Sequence, residues 1–250
     1  MFRITKPRYW AELPLYKKVQ YYKTVLTADY APYVDKLKAK ELATRLCPEL
    51  RTARVVRILA GPDDLQATDA NGSHLLKSAH GSGWNIPLSP PLNLTEARTK
   101  LHSWMKTYSV EEKQYIHIRP RFFIEEILDD AYTGFSGRAH VFMARCIHGT
   151  PVSVSVRKDN GNGSVVQNSY TPTFDLLEPE LFPFEQPPSY QWEALLRCAT
   201  QLSAPFEFVR IDMYISADGH IYLSEFTFTP ANGAPVFSMN VEAAQGRLWT

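Results

Sequence analysis

Cysteine, net charge and long apolar runs are all scarce in this sequence, and each scarcity excludes a class of protein. The 3 cysteines, Cys47, Cys146 and Cys198, stand far apart among apolar neighbours, and the 7 histidines form no His-x-x-x-His pair. A zinc site and a disulfide framework are therefore not expected, whereas buried thiols in a reducing cytosol are. A formal net charge of +1 argues against a general grip on nucleic acid or anionic membrane. No apolar stretch approaches the ~20 residues needed to span a bilayer. Met1 to Trp10 mixes charges with a proline, unlike a signal peptide. The expectation is a cytoplasmic protein acting on small molecules, with no nucleic-acid partner and no membrane insertion. Internal repeats and low-complexity linkers are absent too. No Cys/His or Ser/His/Asp arrangement points to a covalent nucleophile, and no Gly-Lys-Ser/Thr marks a Walker A loop.

What is present is ordinary globular composition, 44% apolar and 21% charged over 250 residues, enough for a substantial core. The chain is helical in character to about Leu50, with Asp35 placed to cap a helix through Leu37, Leu42 and Leu46. Strands are expected at Arg54 to Leu59, Leu75 to Ala79, Phe122 to Leu128, Val141 to Ile147 and Val152 to Val156. Asn93 and Glu96 form a capping-box pattern ahead of a helix whose apolar face runs Leu94, Ala97, Leu101, Trp104, Met105 and Tyr108. Another helix is expected over Ser189 to Leu202. Strands and helices mix without strict alternation, which favours α+β lobes over a doubly wound parallel sheet.

Polar residues set into apolar strands mark the candidate site. Phe208 to Tyr214 and Ile221 to Pro230 read as strands joined at Asp218-Gly219, their hydrophobic beat broken by Arg210, Asp212 and Glu225. Buried acids are costly without a compensating cation. Two readings stand side by side: a structural Arg–Asp pair, or carboxylates holding a divalent metal with Arg210 meeting phosphate. Lys77 ends a strand ahead of His80-Gly81-Ser82-Gly83, where small residues would let backbone amides approach an anion. The same loop could be a plain turn. Lys36, beside the Asp35 cap, reads equally as a solvated lysine, and Glu125 and Glu126 as a strand end facing solvent.

Taken in order, Lys77 to Asn85, Phe208 to Asp212 and Glu225-Phe226-Thr227-Phe228-Thr229-Pro230 resemble the ATP-grasp superfamily. Within it the chain is most similar to the TupA-like group, associated with bacterial polysaccharide and teichuronopeptide synthesis. The Asp35-Lys36 helix and the Glu125-Glu126-Ile127-Leu128 strand match as well. The resemblance implies an ATP-grasp fold, two α+β lobes gripping a nucleotide. A reduced N-terminal region would cover 1–60, a small lobe 61–128 and a large lobe with the metal site 129–250. It implies ATP and Mg²⁺ as cofactors and a carboxylate–amine ligase working through an acyl phosphate on small-molecule substrates. A phosphotransferase acting on a hydroxyl, or a non-catalytic nucleotide-binding subunit, is the alternative.

Residue by residue, the resemblance implies that Lys36 and Lys77 contact phosphates and that His80, Gly81, Ser82 and Gly83 fold over them. Glu125, Glu126 and Leu128 would form the adenine-binding hinge, and Asp129 or Asp130 would bind ribose. Asp212, Glu225 and Thr227 would hold Mg²⁺, with Arg210 steadying the transferring phosphoryl group. Thr227 stands where many ATP-grasp ligases have Asn, and Met143 where a Lys is expected. Arg138, His140, Arg157, the Asn160 to Gly163 tip and Asn232-Gly233 are the candidates for acceptor contacts.

Overall fold

The computed structural model describes residues 2–108, 112–134 and 138–250. Leu15, Val19 and Tyr22 recur at helical spacing and bury one face of α1 (Leu15–Val25). A short helix α2 (Ala31–Val34) precedes α3 (Lys36–Leu46), which starts where the Asp35 side chain accepts from the Leu37 and Lys38 amides. That cap satisfies two amides that have no partner inside the helix.

Among the described residues ten strands form two sheets. A smaller, wholly antiparallel sheet has the order β2 (Val55–Leu59), β5 (Phe122–Glu126), β3 (His74–Ser78), β4 (Asn85–Pro87). Its core side carries Leu59, Leu76, Phe122 and Ile124 against Ala97 and Leu101 of α4 (Leu94–Trp104). Asn93 caps α4 through the Glu96 amide, as its sequence pattern implies. The helix stops at Trp104, short of the expected Tyr108, and both Met105 and Tyr108 are exposed. The physical cause is at its last turn. The Trp104 carbonyl bonds the His80 ring at 2.9 Å, and the Trp104 indole stacks on Trp84 at 5.7 Å.

The larger sheet runs β1 (Arg51–Thr52), β10 (Ile221–Thr227), β9 (Phe208–Ile215), β6 (Val141–Ile147), β7 (Thr150–Asp159), β8 (Val165–Tyr170). Among its described strands β1 pairs β10 in parallel and the other pairings are antiparallel. β8 was not anticipated: Val165 and Val166 are followed by Gln, Asn and Ser, which mask the strand pattern. Helix α5 (Ser189–Ser203) buries Trp192, Leu195, Ala199 and Leu202 in the same core as β6, β7 and β9. The N-terminal helices share that core, through Tyr22 and Tyr30 against Phe206, Phe208 and Phe228. A final helix, α6 (Met239–Leu248), also went unread in the sequence. Its end is closed by the fully buried Lys18, whose ammonium donates to the Gly246 and Trp249 carbonyls. Burial lowers the Lys18 pKa to about 8. Cys47 and Cys198, 151 positions apart, meet with their sulfurs 3.4 Å apart. Among the described residues no helix is long and apolar enough to cross a membrane.

Candidate active site

The site's floor follows from strand register. Asp212 on β9 stands opposite Glu225 on β10, and Arg210 stands opposite Thr227. Positions i and i+2 of a strand share a face, so all four side chains rise on the same side of the sheet. A bulge between Leu223 and Glu225 brings Glu225 into this row. Arg210 grips Asp212 with two bonds, Nε to Oδ1 at 2.7 Å and Nη2 to Oδ2 at 2.6 Å, and also donates to the Thr227 hydroxyl at 3.3 Å. Burial pushes the Asp212 carboxyl up from its ordinary value, with Arg210 pulling against it and Glu225 adding to the rise. Burial acts the same way on Glu225, but Lys36 and Arg210 outweigh it and hold that carboxyl below its usual range.

One wall comes from α3 and the small sheet. The Lys36 ammonium lies 3.3 Å from Glu225 and 2.8 Å from the Gly81 carbonyl, so it links the floor to the glycine loop. Lys77 lies 2.5 Å from one oxygen of Glu125, and Lys40 lies 2.9 Å from the other. Glu125 is thus a buried acid between two lysines rather than a solvated strand end. Burial opposes the charge on both Glu125 and Lys77. Their mutual attraction prevails, lowering the carboxyl and raising the ammonium. Lys40 is partly buried, and desolvation lowers its pKa despite Glu125. Sequence reading missed Lys40, although it sits four positions after Lys36, on the same helix face.

The remaining expected residues divide. Ser82 lines a cavity above the floor, and Gly81 is held tightly, since a Cβ there would sit 2.2 Å from the Trp84 ring. Gly83 adopts φ +67 with open space around it, a conformation that suits glycine. His80 does not turn its side chain to the cleft. It is fully buried, Nε2 meeting the Trp104 carbonyl and Nδ1 accepting from the Ser78 hydroxyl and the Arg121 amide. A carbonyl only accepts, so Nε2 carries the proton, and burial keeps the ring's pKa below its usual value. Asp130 is likewise turned inward, bonding the Tyr132 and Thr133 amides and the Thr133 hydroxyl. Glu126 pairs with Arg54 at the surface, while the Glu126 and Ile127 amides donate to the Arg54 and Ser73 carbonyls. Leu128 lines the cleft.

The cleft has two parts, both lined by Arg157 and Val165. One, of about 360 Å³, is bounded by Lys36, Lys40, Lys77, Glu125, Leu128 and Tyr214. The other, of about 600 Å³, is bounded by Ser82, Glu112, Met143, Arg145, Arg210 and Glu225, among others. Of the acceptor candidates, Arg138 lines the first part, Asn232 the second and Arg157 both, whereas His140 packs against Tyr132 and Phe184 outside them.

Sequence reading missed Glu112 and Arg145. Arg145 stands opposite Arg210 across β6 and β9, lies over the Phe237 ring at 4.3 Å and approaches Glu242 at 3.8 Å. Burial lowers its pKa to about 10. Glu112 is buried, and its Oε1 accepts from the Phe228 and Thr229 amides. Burial pushes its carboxyl up to about 8.

Lysines and an arginine converging on a floor of hard oxygen donors can bind a polyanion together with a divalent cation. Asp212, Glu225 and Thr227 supply that donor chemistry. The raised carboxyl of Asp212, beside a second acid, fits a cation that would favour both ionised forms. Arg210 currently takes both Asp212 oxygens, so a bound ion would share them with it.

The family model described as TupA-like ATPgrasp matches residues 17–247. Among solved structures, D-alanine–D-alanine ligase from Bacillus anthracis complexed with ATP superposes with a TM-score of 0.52 at 11% identity, over 87% of this chain and 62% of that one. N5-carboxyaminoimidazole ribonucleotide synthetase in its ADP complex superposes with a TM-score of 0.54 at 14% identity, over 87% of this chain and 52% of that one. The chain therefore spans less than two thirds of the length of either protein. At these identities the likeness establishes the fold alone. No curated protein matches the sequence.

Proposed function

The chain belongs to the TupA-like ATP-grasp family and has the α+β ATP-grasp fold, and from that premise we propose that it is an ATP-dependent carboxylate–amine ligase. The observation that carries this reading is the convergence of Lys36, Lys77, Arg210 and Glu225, from four separate elements, on the cleft, with Asp212 buried and gripped by Arg210. The small and large lobes would close on ATP, as the division 1–60, 61–128 and 129–250 envisages. The adenine lies in the smaller cavity, where Leu128 offers the hinge amide, because the amides before it are already bonded within the sheet. Lys36 and Lys77 contact the phosphates, with Ser82 and the amides of the glycine loop above them. Asp212, Glu225 and Thr227 would hold Mg²⁺, which when bound offsets phosphate charge.

The chain's own residues do the rest. Arg210 meets the transferring phosphoryl group as a carboxylate oxygen of the substrate attacks the γ-phosphorus and ADP leaves. An amine then attacks the acyl carbon, expelling phosphate and losing a proton to give the amide. Fixed cations around the developing charge lower the barrier without reorganising. Closure of the loop over the cleft keeps out water, which would hydrolyse the acyl phosphate. The substrates would be small molecules of cell-surface or natural-product biosynthesis, handled in the cytoplasm.

The test is an ADP-release screen over pairs of carboxylates and amines, with hydroxylamine added to trap an acyl phosphate. Mg²⁺-dependent ADP release and a hydroxamate are expected. The Glu225→Gln protein should fold normally and release no ADP. Turnover undiminished in that variant, or a phosphoester with no hydroxamate, would overturn the reading.

A further inference from the structure

The larger cavity contains one charged group that the proposed phosphoryl transfer does not use. Glu112 lines it and is only 4% exposed. One carboxylate oxygen is fixed by the Phe228 amide at 2.9 Å and the Thr229 amide at 3.4 Å. The other, Oε2, is buried with no hydrogen-bond partner. Among the described residues no lysine, arginine or histidine forms an ion pair with it. An acid oxygen stripped of water and given no donor is a costly arrangement for a side chain held in place by two backbone amides. Glu112 also lines the cavity, so a ligand donor reaching Oε2 from that side would supply the missing bond.

Position narrows the ligand. Phe228 and Thr229 follow directly on Thr227, which stands opposite Arg210, so Glu112 is anchored just beyond the phosphoryl end of the site. The cavity's other charged groups are Arg210, Arg145, Arg157 and Glu225. Of the two substrates that a carboxylate–amine ligation needs, the carboxylate is suited to the arginines and finds no donor to its charge in an ionised Glu112. The amine is the one that brings N–H donors. We propose that Glu112 binds the amine substrate, its free oxygen accepting a hydrogen bond from the amino group and setting that nitrogen beside the activated acyl group. This rests on the ligase reading above. Glu112 is then the residue that selects a free primary amine over its N-acetylated counterpart, because the acetylated nitrogen brings added bulk, fewer donors and no basicity to the carboxyl.

The experiment is ligand-observed saturation-transfer NMR on the full chain with Mg·ADP present. The probes are glycine, L-alanine, L-lysine and ethanolamine, each beside its N-acetyl form. At least one free amine should bind, its acetylated form should bind about tenfold more weakly or worse, and Glu112→Gln should lose the amine. The glutamine keeps a carbonyl oxygen for the two amides, so a merely structural role for Glu112 predicts unchanged binding. Glu112→Asp keeps the charge but withdraws the oxygens by one methylene. It should weaken the amine by about tenfold, and it serves if the glutamine variant does not fold. Absence of binding by every amine, equal binding of acetylated forms, or full binding by the variants would each overturn the proposal. A separate calorimetric titration of Mg·ADP, with no amine present, tests the nucleotide site on its own. Failure there counts against the ligase reading, whereas failure of the amine arm alone counts against Glu112.

Discussion

Replacing Glu112 by Gln should change how the protein's stability depends on pH. The carboxyl is raised from 4.5 to about 8, first by burial and then by Glu225, while the Thr229 and Phe228 amides and Arg210 act in the opposite direction. A raised pKa means that the folded state holds the proton more tightly than the unfolded chain does. Between pH 4.5 and about 8 the unfolded state has lost that proton and the folded state still carries it, so stability falls as pH rises. The contribution is complete below 4.5 and gone above about 8. At roughly 1.4 kcal/mol per pH unit, the interval from pH 5 to pH 8 corresponds to about 4 kcal/mol, an upper bound because water entry and local relaxation reduce it. The assay is urea unfolding followed by tryptophan fluorescence at pH 5, 6, 7 and 8, for wild type and Glu112→Gln. Every other titrating group cancels in the difference between the two proteins, to the extent that it does not interact with Glu112. Wild type should lose stability relative to the variant by a few kcal/mol over that range. A difference flat to within about 1 kcal/mol would mean that the carboxyl ionises as if solvated, and the argument from burial would fail.

Two further perturbations probe the wall and the loop. Lys77→Ala should weaken Mg·ATP by about 1.5–3 kcal/mol, the value of a charge-assisted hydrogen bond, and equal affinities in calorimetry would remove Lys77 from the nucleotide site. Gly81→Ala drives a Cβ to within 2.2 Å of the Trp84 ring, which is itself stacked on Trp104. Thermal unfolding should register a loss of about 1–3 kcal/mol, the usual cost of overpacking, together with weaker nucleotide binding through the displaced Lys36 contact. An unperturbed melt and affinity would show that the loop has room to move.

What could be read in the sequence, and what could not, follows from the range of the interactions involved. Asp35 as a cap, the α5 face through Trp192, Leu195 and Ala199, and the β9–β10 hairpin are set by neighbours within a few positions, and all were legible. Of the two readings left open for the hairpin acids, the ion pair is present, and the metal stays a proposal. Arg210 does form the ion pair with Asp212, and the same pair lies on the face that carries Glu225 and Thr227. His80 looked like part of an anion-binding loop because it precedes Gly-Ser-Gly, but its partners are the end of α4 and the strand entering β5, which no local pattern records.

Glu112 is the extreme case. It adjoins another glutamate and a lysine, a run that reads as solvated surface, and its burial depends on amides 116 and 117 positions further along the chain. Local sequence gives little sign of a side chain whose environment is built by a strand end so distant. Its cost does leave a thermodynamic signature. A buried carboxyl that merely bridged two amides could be replaced by an amide side chain at no loss, and would become a gain above pH 4.5. Retaining the acid is reasonable only if its ionised form is used, and in this cleft that use requires a cation or an amine to arrive.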